Sequence, residues 1–193
     1  MAEPRERAVR RTAASRLLTP SGLGLALICF LFGFLAVSCD TPGGYGRTGQ
    51  GGSTTYTGLD LAAGTPPTID PGKVRPELAE RADDLGWHPL LLLAAIAIGV
   101  GMVAGAGRFR LRPLVVIAAT AAALVLLVAG ELITRARLVD QVAAQVRRPL
   151  PAGKAPADYV TVGSGFTGAV VLTTVVLACY AVAYLRRKRN PGT

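Results

Sequence analysis

The stretch PSGLGLALICFLFGFLAVSC, residues 20–39, decides how the rest of the chain is read. From Leu25 to Val37 it carries no charge, and it includes Phe30, Phe32 and Phe34. Thr19, Pro20 and Ser21 open it with residue types that favour a helix start, because proline fits a first turn whose N–H groups have no partner. A helix of about 20 residues rising 1.5 Å per residue covers a hydrocarbon core of about 30 Å. A transmembrane helix over 20–39 is the expectation.

Three more blocks of the same kind follow. The second, 89–107, begins behind Trp87 and His88, and a tryptophan at such a boundary suits the membrane interface. The third, 113–133, is mostly Ala, Val and Leu, with one acid, Glu131, near its far end. The fourth, 165–185, has Tyr180 and Tyr184 close to a basic tail. Hydrophobic residues make up 51% of the 193-residue chain, and they fall into long charge-free runs instead of periods that leave one face polar. The sequence therefore predicts an all-α integral membrane protein with four transmembrane helices.

The formal net charge is +9. Its placement argues against nucleic acid and for membrane lipids as the partner. Arg5, Arg7, Arg10, Arg11 and Arg16 lie in the leading segment 1–19, Arg108, Arg110 and Arg112 in the connection 108–112, and Arg186, Arg187, Lys188 and Arg189 in the tail 186–193. Cations flanking apolar blocks mark cytoplasmic segments and attract anionic headgroups. Both termini are expected in the cytoplasm, with the chain in the plasma membrane of a bacterium, as its abundant Ala, Arg and Gly suggest.

Two segments are left outside. Segment 40–88 sets seven carboxylates, Asp40, Asp60, Asp70, Glu77, Glu80, Asp83 and Asp84, against four cations, Arg47, Lys73, Arg75 and Arg81. Its Gly/Thr-rich first half, with Thr54, Thr55, Tyr56 and Thr57 in a row, suits either a short strand or a partly disordered loop, and its low apolar content favours weak order. Better helix formers from Arg75 to Leu85 predict a short surface helix. In segment 134–164 and just before it, Leu132, Ala136, Val139, Ala143 and Val146 recur at helical spacing, so either the third helix continues outward or an amphipathic helix lies on the membrane. Pro149 and Pro151 end it in both cases.

Chemistry-bearing motifs are sparse. Cys29, Cys39 and Cys179 make no disulfide framework. The ending Leu35-Ala36-Val37-Ser38-Cys39 resembles the bacterial lipobox, which implies Cys39 as a lipidation site. Ala36 stands where an aliphatic residue is usual, and the apolar run is long for a removable signal, so an uncleaved helix is favoured. Small residues recur four apart at Gly22 and Ala26, Gly101 and Gly105, Ala118 and Ala122, and Ser164 and Gly168. In lipid, close backbone approach through such pairs is a main source of helix association. Gly101 and Gly105 are taken as the helix-packing pair, inside the bundle in preference to a homo-oligomer or a contact with another membrane protein.

The central parts of the blocks contain no ionisable residue, which disfavours a pore made by one copy. Thr120, Thr173 and Thr174 can return their hydroxyls to the helix backbone, and Glu131 can pair with Arg135. His88 is read as an interfacial imidazole, and Glu80, Asp83 and Asp84 as a solvated helix end. No cofactor, metal set or catalytic grouping emerges. The four-crossing plan with a larger first outer loop is shared with claudin-like and tetraspanin proteins, but the cysteine pairs of those loops are missing here, and no family is assigned. The favoured function is a non-enzymatic membrane protein acting through its outer loop. An accessory subunit of a transport or envelope-assembly complex is the alternative, and an interfacial enzyme on lipid or cell-wall material is the third reading.

Overall fold

A computed structural model describes residues 20–38, 51–69, 86–107, 111–145 and 150–189. The protein is mostly helical, with three helices long and apolar enough to cross a membrane. The first apolar block departs from expectation. Helix α1 spans Pro20–Leu31, its last turn a 3-10 turn at Cys29–Leu31, and Phe32 then becomes extended. Gly33–Ser38 is a strand, β1. The expected helix over 20–39 is thus corrected to a short helix followed by a strand. Its apolar residues satisfy both forms, since Leu35 and Val37 alternate inward while Ala36 and Ser38 face outward.

The all-α expectation needs the same correction. β1 pairs antiparallel on one side with β2, Ser53–Thr57, and on the other with β4, Val160–Val162. A two-residue strand β3, Thr68–Ile69, completes the sheet in the order β3-β2-β1-β4. The Gly/Thr-rich half of this segment, for which the sequence favours weak order over a short strand, supplies the strand β2, and the helix α2, Gly58–Ala63, lies between β2 and β3. Local chemistry explains that helix. Asp60 N–H donates to Thr57 Oγ1 at 3.1 Å and Thr57 N–H to Asp60 Oδ2 at 3.0 Å, a reciprocal cap. Gly64 closes it at φ +71°, where its N–H reaches Asp60 O at 2.7 Å. The surface helix expected from Arg75 to Leu85 lies outside the described residues.

The remaining helices are α3, Pro89–Ala106, α4, Arg112–Gln145, and α5, Ser164–Arg189. α3 and α4 are antiparallel: a Cβ on Gly101 would lie 3.6 Å from Ala119 Cβ, and one on Gly130 would lie 2.9 Å from Leu91 Cδ2. α1 runs antiparallel to α5, with Gly22 against Val176 and Cys29 Sγ against Gly168. Thr120, Thr173 and Thr174 each donate to the carbonyl four residues earlier, as expected, and Thr134, outside that expectation, does the same.

The 34 residues of α4 make about 51 Å of helix, well beyond a hydrocarbon core of about 30 Å. Since Gly130 already meets the first turn of α3, the last turns of α4 project past the bundle. Of the two forms expected for the segment after 133, the described residues take the first, a continuation of the third helix as far as Gln145. Its buried face also differs from the expected one. Leu132, Ala136 and Ala143 are exposed, and Thr134, Leu138 and Val142 are buried, because α4 keeps one stripe, Val116, Thr120, Ala123, Leu127, Glu131, Thr134, Leu138 and Val142, along its whole length.

The helices are as apolar outside as inside. Leu93, Ile96, Val100 and Val103 on α3, and Val171, Val175 and Val182 on α5, are exposed at helical spacing. Water would penalise such stripes, whereas lipid accepts them.

Candidate functional site

The sheet sits at the end of the bundle where α3 and α5 begin, tied to it by segments far apart in sequence. β1 continues α1, β4 leads into α5, and the projecting turns of α4 pack beneath. Gly163 N–H donates to Phe34 O at 2.7 Å, holding the start of α5 to β1. Phe34 lies between Phe30, with ring centroids 4.9 Å apart, and Phe166, edge-on at 5.8 Å. Contacts of this kind contribute about 0.5 to 1.5 kcal/mol each beyond burial. α2 is fastened to α3 by His88 N–H, which donates to Leu61 O at 3.1 Å, and by Gly64, whose Cβ position lies 3.3 Å from the Trp87 backbone.

The sheet has two unlike faces. Register aligns Ile69, Thr54, Val37 and Val160 in a row across the strands, with Thr54, Val37 and Val160 buried. The neighbouring row is Thr68, Thr55, Ala36 and Thr161, none of them buried. Small side chains and hydroxyls make up this unburied row, in which Thr161 Oγ1 donates to Ala36 O at 3.3 Å. One hydrophobic cluster contains Val37, Tyr56 and Val160 of the sheet and Leu138 on the last turns of α4 together with Leu23, Leu91, Ile98 and Ala169 of the bundle. The sheet and α2, the outer module, share a single close-packed core with the helices.

Two buried polar side chains stand out at the joint. Glu131 is buried, and among the described residues its Oε1 has no hydrogen-bond partner. Arg135, the i,i+4 partner expected for Glu131, interacts with it through charge, while the carboxyl itself is buried on the stripe of α4. His88 is also buried, and its Nε2 has no hydrogen-bond partner among the described residues. The sequence places an imidazole at the interface, and the structure puts it under α2. Neither position could have been found from spacing, since each depends on which neighbours close over the side chain.

Burial pushes the His88 pKa below its ordinary value of 6.5, and the Arg137 guanidinium adds to the effect. The unfolded chain then binds a proton near pH 6.5 that the folded chain still refuses, so stability should be full above that pH and should fall as pH drops toward the folded value. His88 is the only histidine. The melting temperature in detergent is expected to decline between pH 7 and pH 5, and His88→Gln should flatten that decline. An unchanged slope in the variant would assign the effect to carboxylates.

Gly101 and Gly105 are both buried. A Cβ on Gly101 would meet Leu23 Cδ1 at 3.1 Å and Thr120 Cγ2 at 3.7 Å, which puts this glycine where α1, α3 and α4 meet. Cys39, Glu80, Asp83 and Asp84 lie outside the described residues. Among the described residues, no three His, Cys, Asp or Glu side chains are grouped to hold a metal.

No known protein family, curated protein or solved structure matches this chain. A functional reading therefore rests on the geometry.

Proposed function

We propose that this is a multi-pass protein of a bacterial cell membrane, crossing four times with both termini in the cytoplasm, and that it works without catalysis by presenting its outer sheet to a partner or envelope component. The fourth crossing is the contribution of α1, which packs among α3 and α5 and whose Leu25 and Ile28 are exposed as on the longer helices. Arg112 at the start of α4 donates to Tyr180 OH of α5 at 3.2 Å, and Arg186, Lys188 and Arg189 follow on the same end of the bundle. That basic end fits the cytoplasmic side.

The observation that carries the reading is the core shared between bundle and sheet. A rigid, hydroxyl-lined face held away from the basic end is suited to display, and its preorganisation lowers the entropy lost on binding. The test is isolation of the full chain from native membranes in mild detergent, compared with a Thr55→Lys, Thr68→Lys variant. These residues neighbour each other on the unburied row. Companions of the wild type should be lost from the variant while its melting temperature is unchanged. Retention of the same companions by a folded variant would move the interface to the helices and support the accessory-subunit reading.

A further inference from the structure

The lipid-like surface of the bundle does not stop where the helices do. Phe32 after α1, Leu59 on α2, Trp87 before α3, Leu132 and Ile133 on α4 and Val162 on β4 are all exposed, Trp87 to 61% and Leu59 to 51%. They come from separate segments, yet they lie at one level. A Cβ on Gly165 would be 2.8 Å from Phe32 O, and one on Gly58, next to Leu59, would be 2.9 Å from Phe30 Cδ1. Gly64 places the end of α2 against Trp87, and Leu132 is two residues past Gly130, which meets Leu91. These approaches set exposed apolar side chains at the joint of sheet and bundle, an apolar collar next in sequence to the exposed Leu31 of α1.

Helix length says what covers it. α3 has 18 residues, about 27 Å of helix against a hydrocarbon core of about 30 Å. Its far end lies toward Arg112 at the start of α4, and an arginine at such a helix end sits at headgroup level. The shortfall has to be met at the other end, where Trp87 and Leu59 are. Tryptophan prefers the glycerol region of a bilayer, and short apolar faces bind there as well.

We infer that the outer module does not stand clear of the membrane but is seated in the outer leaflet, with the collar in contact with the glycerol region and upper acyl chains of phospholipid. α2 is then an interfacial element, and the sheet is held at a fixed height above the hydrocarbon. The inference rests on the proposed membrane insertion, and the experiment separates the two.

Trp87 is the only tryptophan, so its fluorescence reads the collar directly. The full chain would be placed in nanodiscs of phosphatidylcholine and phosphatidylglycerol whose acyl chains carry bromine either near the glycerol or near the chain terminus. Trp87 should lose most of its emission to bromine near the glycerol, less to bromine at the terminus, and little to aqueous iodide. A second variant, Trp87→Phe with Val100→Trp, puts the probe on the exposed middle of α3, where terminal bromine should quench most. Quenching of Trp87 by iodide alone, with the Val100→Trp probe still quenched by lipid, would overturn the seating and leave membrane insertion intact. Protection of Trp87 from both quenchers would overturn it in favour of a second copy or another protein over the collar. Failure of lipid to quench either probe would overturn insertion and seating together.

Discussion

A Gly163→Ala variant is expected to lose much of its thermal stability in detergent. A Cβ at this position would fall on the Gly33 carbonyl oxygen and lie 3.2 Å from the Phe34 carbonyl carbon. The obstacle is backbone, which cannot rotate aside as a side-chain tip can. To make room, β4 would have to leave β1, giving up the pairing of Val160, Thr161 and Val162 with Val37, Ala36 and Leu35. Retreat of α5 is opposed as well, because Gly165 already sits where a Cβ would be 2.7 Å from Cys29 O. The cost should reach or exceed the roughly 1 to 3 kcal/mol typical of overpacking.

Gly99→Ala is the matched control. A Cβ there meets nothing within 4 Å, and alanine in a helix interior is favoured over glycine by about 1 kcal/mol. Melting followed by Trp87 fluorescence should place Gly163→Ala well below the wild type and Gly99→Ala at or above it. If the two variants melted together, the close approach of residue 163 to β1 would be wrong.

The second large effect is expected from replacing Gly101 and Gly105 with leucine. At Gly101 the first contact is Leu23 Cδ1 at 3.1 Å, the end of a flexible side chain, so alanine needs only a small shift. Leucine is different, because its branches must enter the space where Leu23, Ala119 and Thr120 already converge. Misfit of that kind costs roughly 1 to 3 kcal/mol, and two such sites one turn apart compound it. The monomer should melt earlier, with crosslinking between copies unchanged. Loss of crosslinking in a monomer of unchanged stability would instead make the pair a dimer face.

The contrast between these glycines shows what could be read before the fold was known. Gly101 and Gly105 carry a local signal, small residues one turn apart in an apolar run. Gly163 carries none, since what crowds it is the backbone of a strand far away in sequence.

Three helices long and apolar enough to cross a membrane were legible in the amino-acid sequence, and so were their places. The blocks 89–107, 113–133 and 165–185 coincide with α3, the membrane-length part of α4 and α5, because hydrophobicity summed over about 20 residues is a local quantity that selects lipid without help from a neighbour. Tertiary structure alone decided the rest. Gly33–Ser38 is apolar enough for helix or strand, and what selects strand is its hydrogen bonding to residues 53–57 and 160–162, partners that no local window contains. The inward turn of Glu131 and the burial of His88 were equally illegible, since burial depends on which elements close over a side chain. The sheet, its threonine face and its seat on the bundle are non-local for that physical reason: their backbone hydrogen bonds and shared core exist only once distant segments have met.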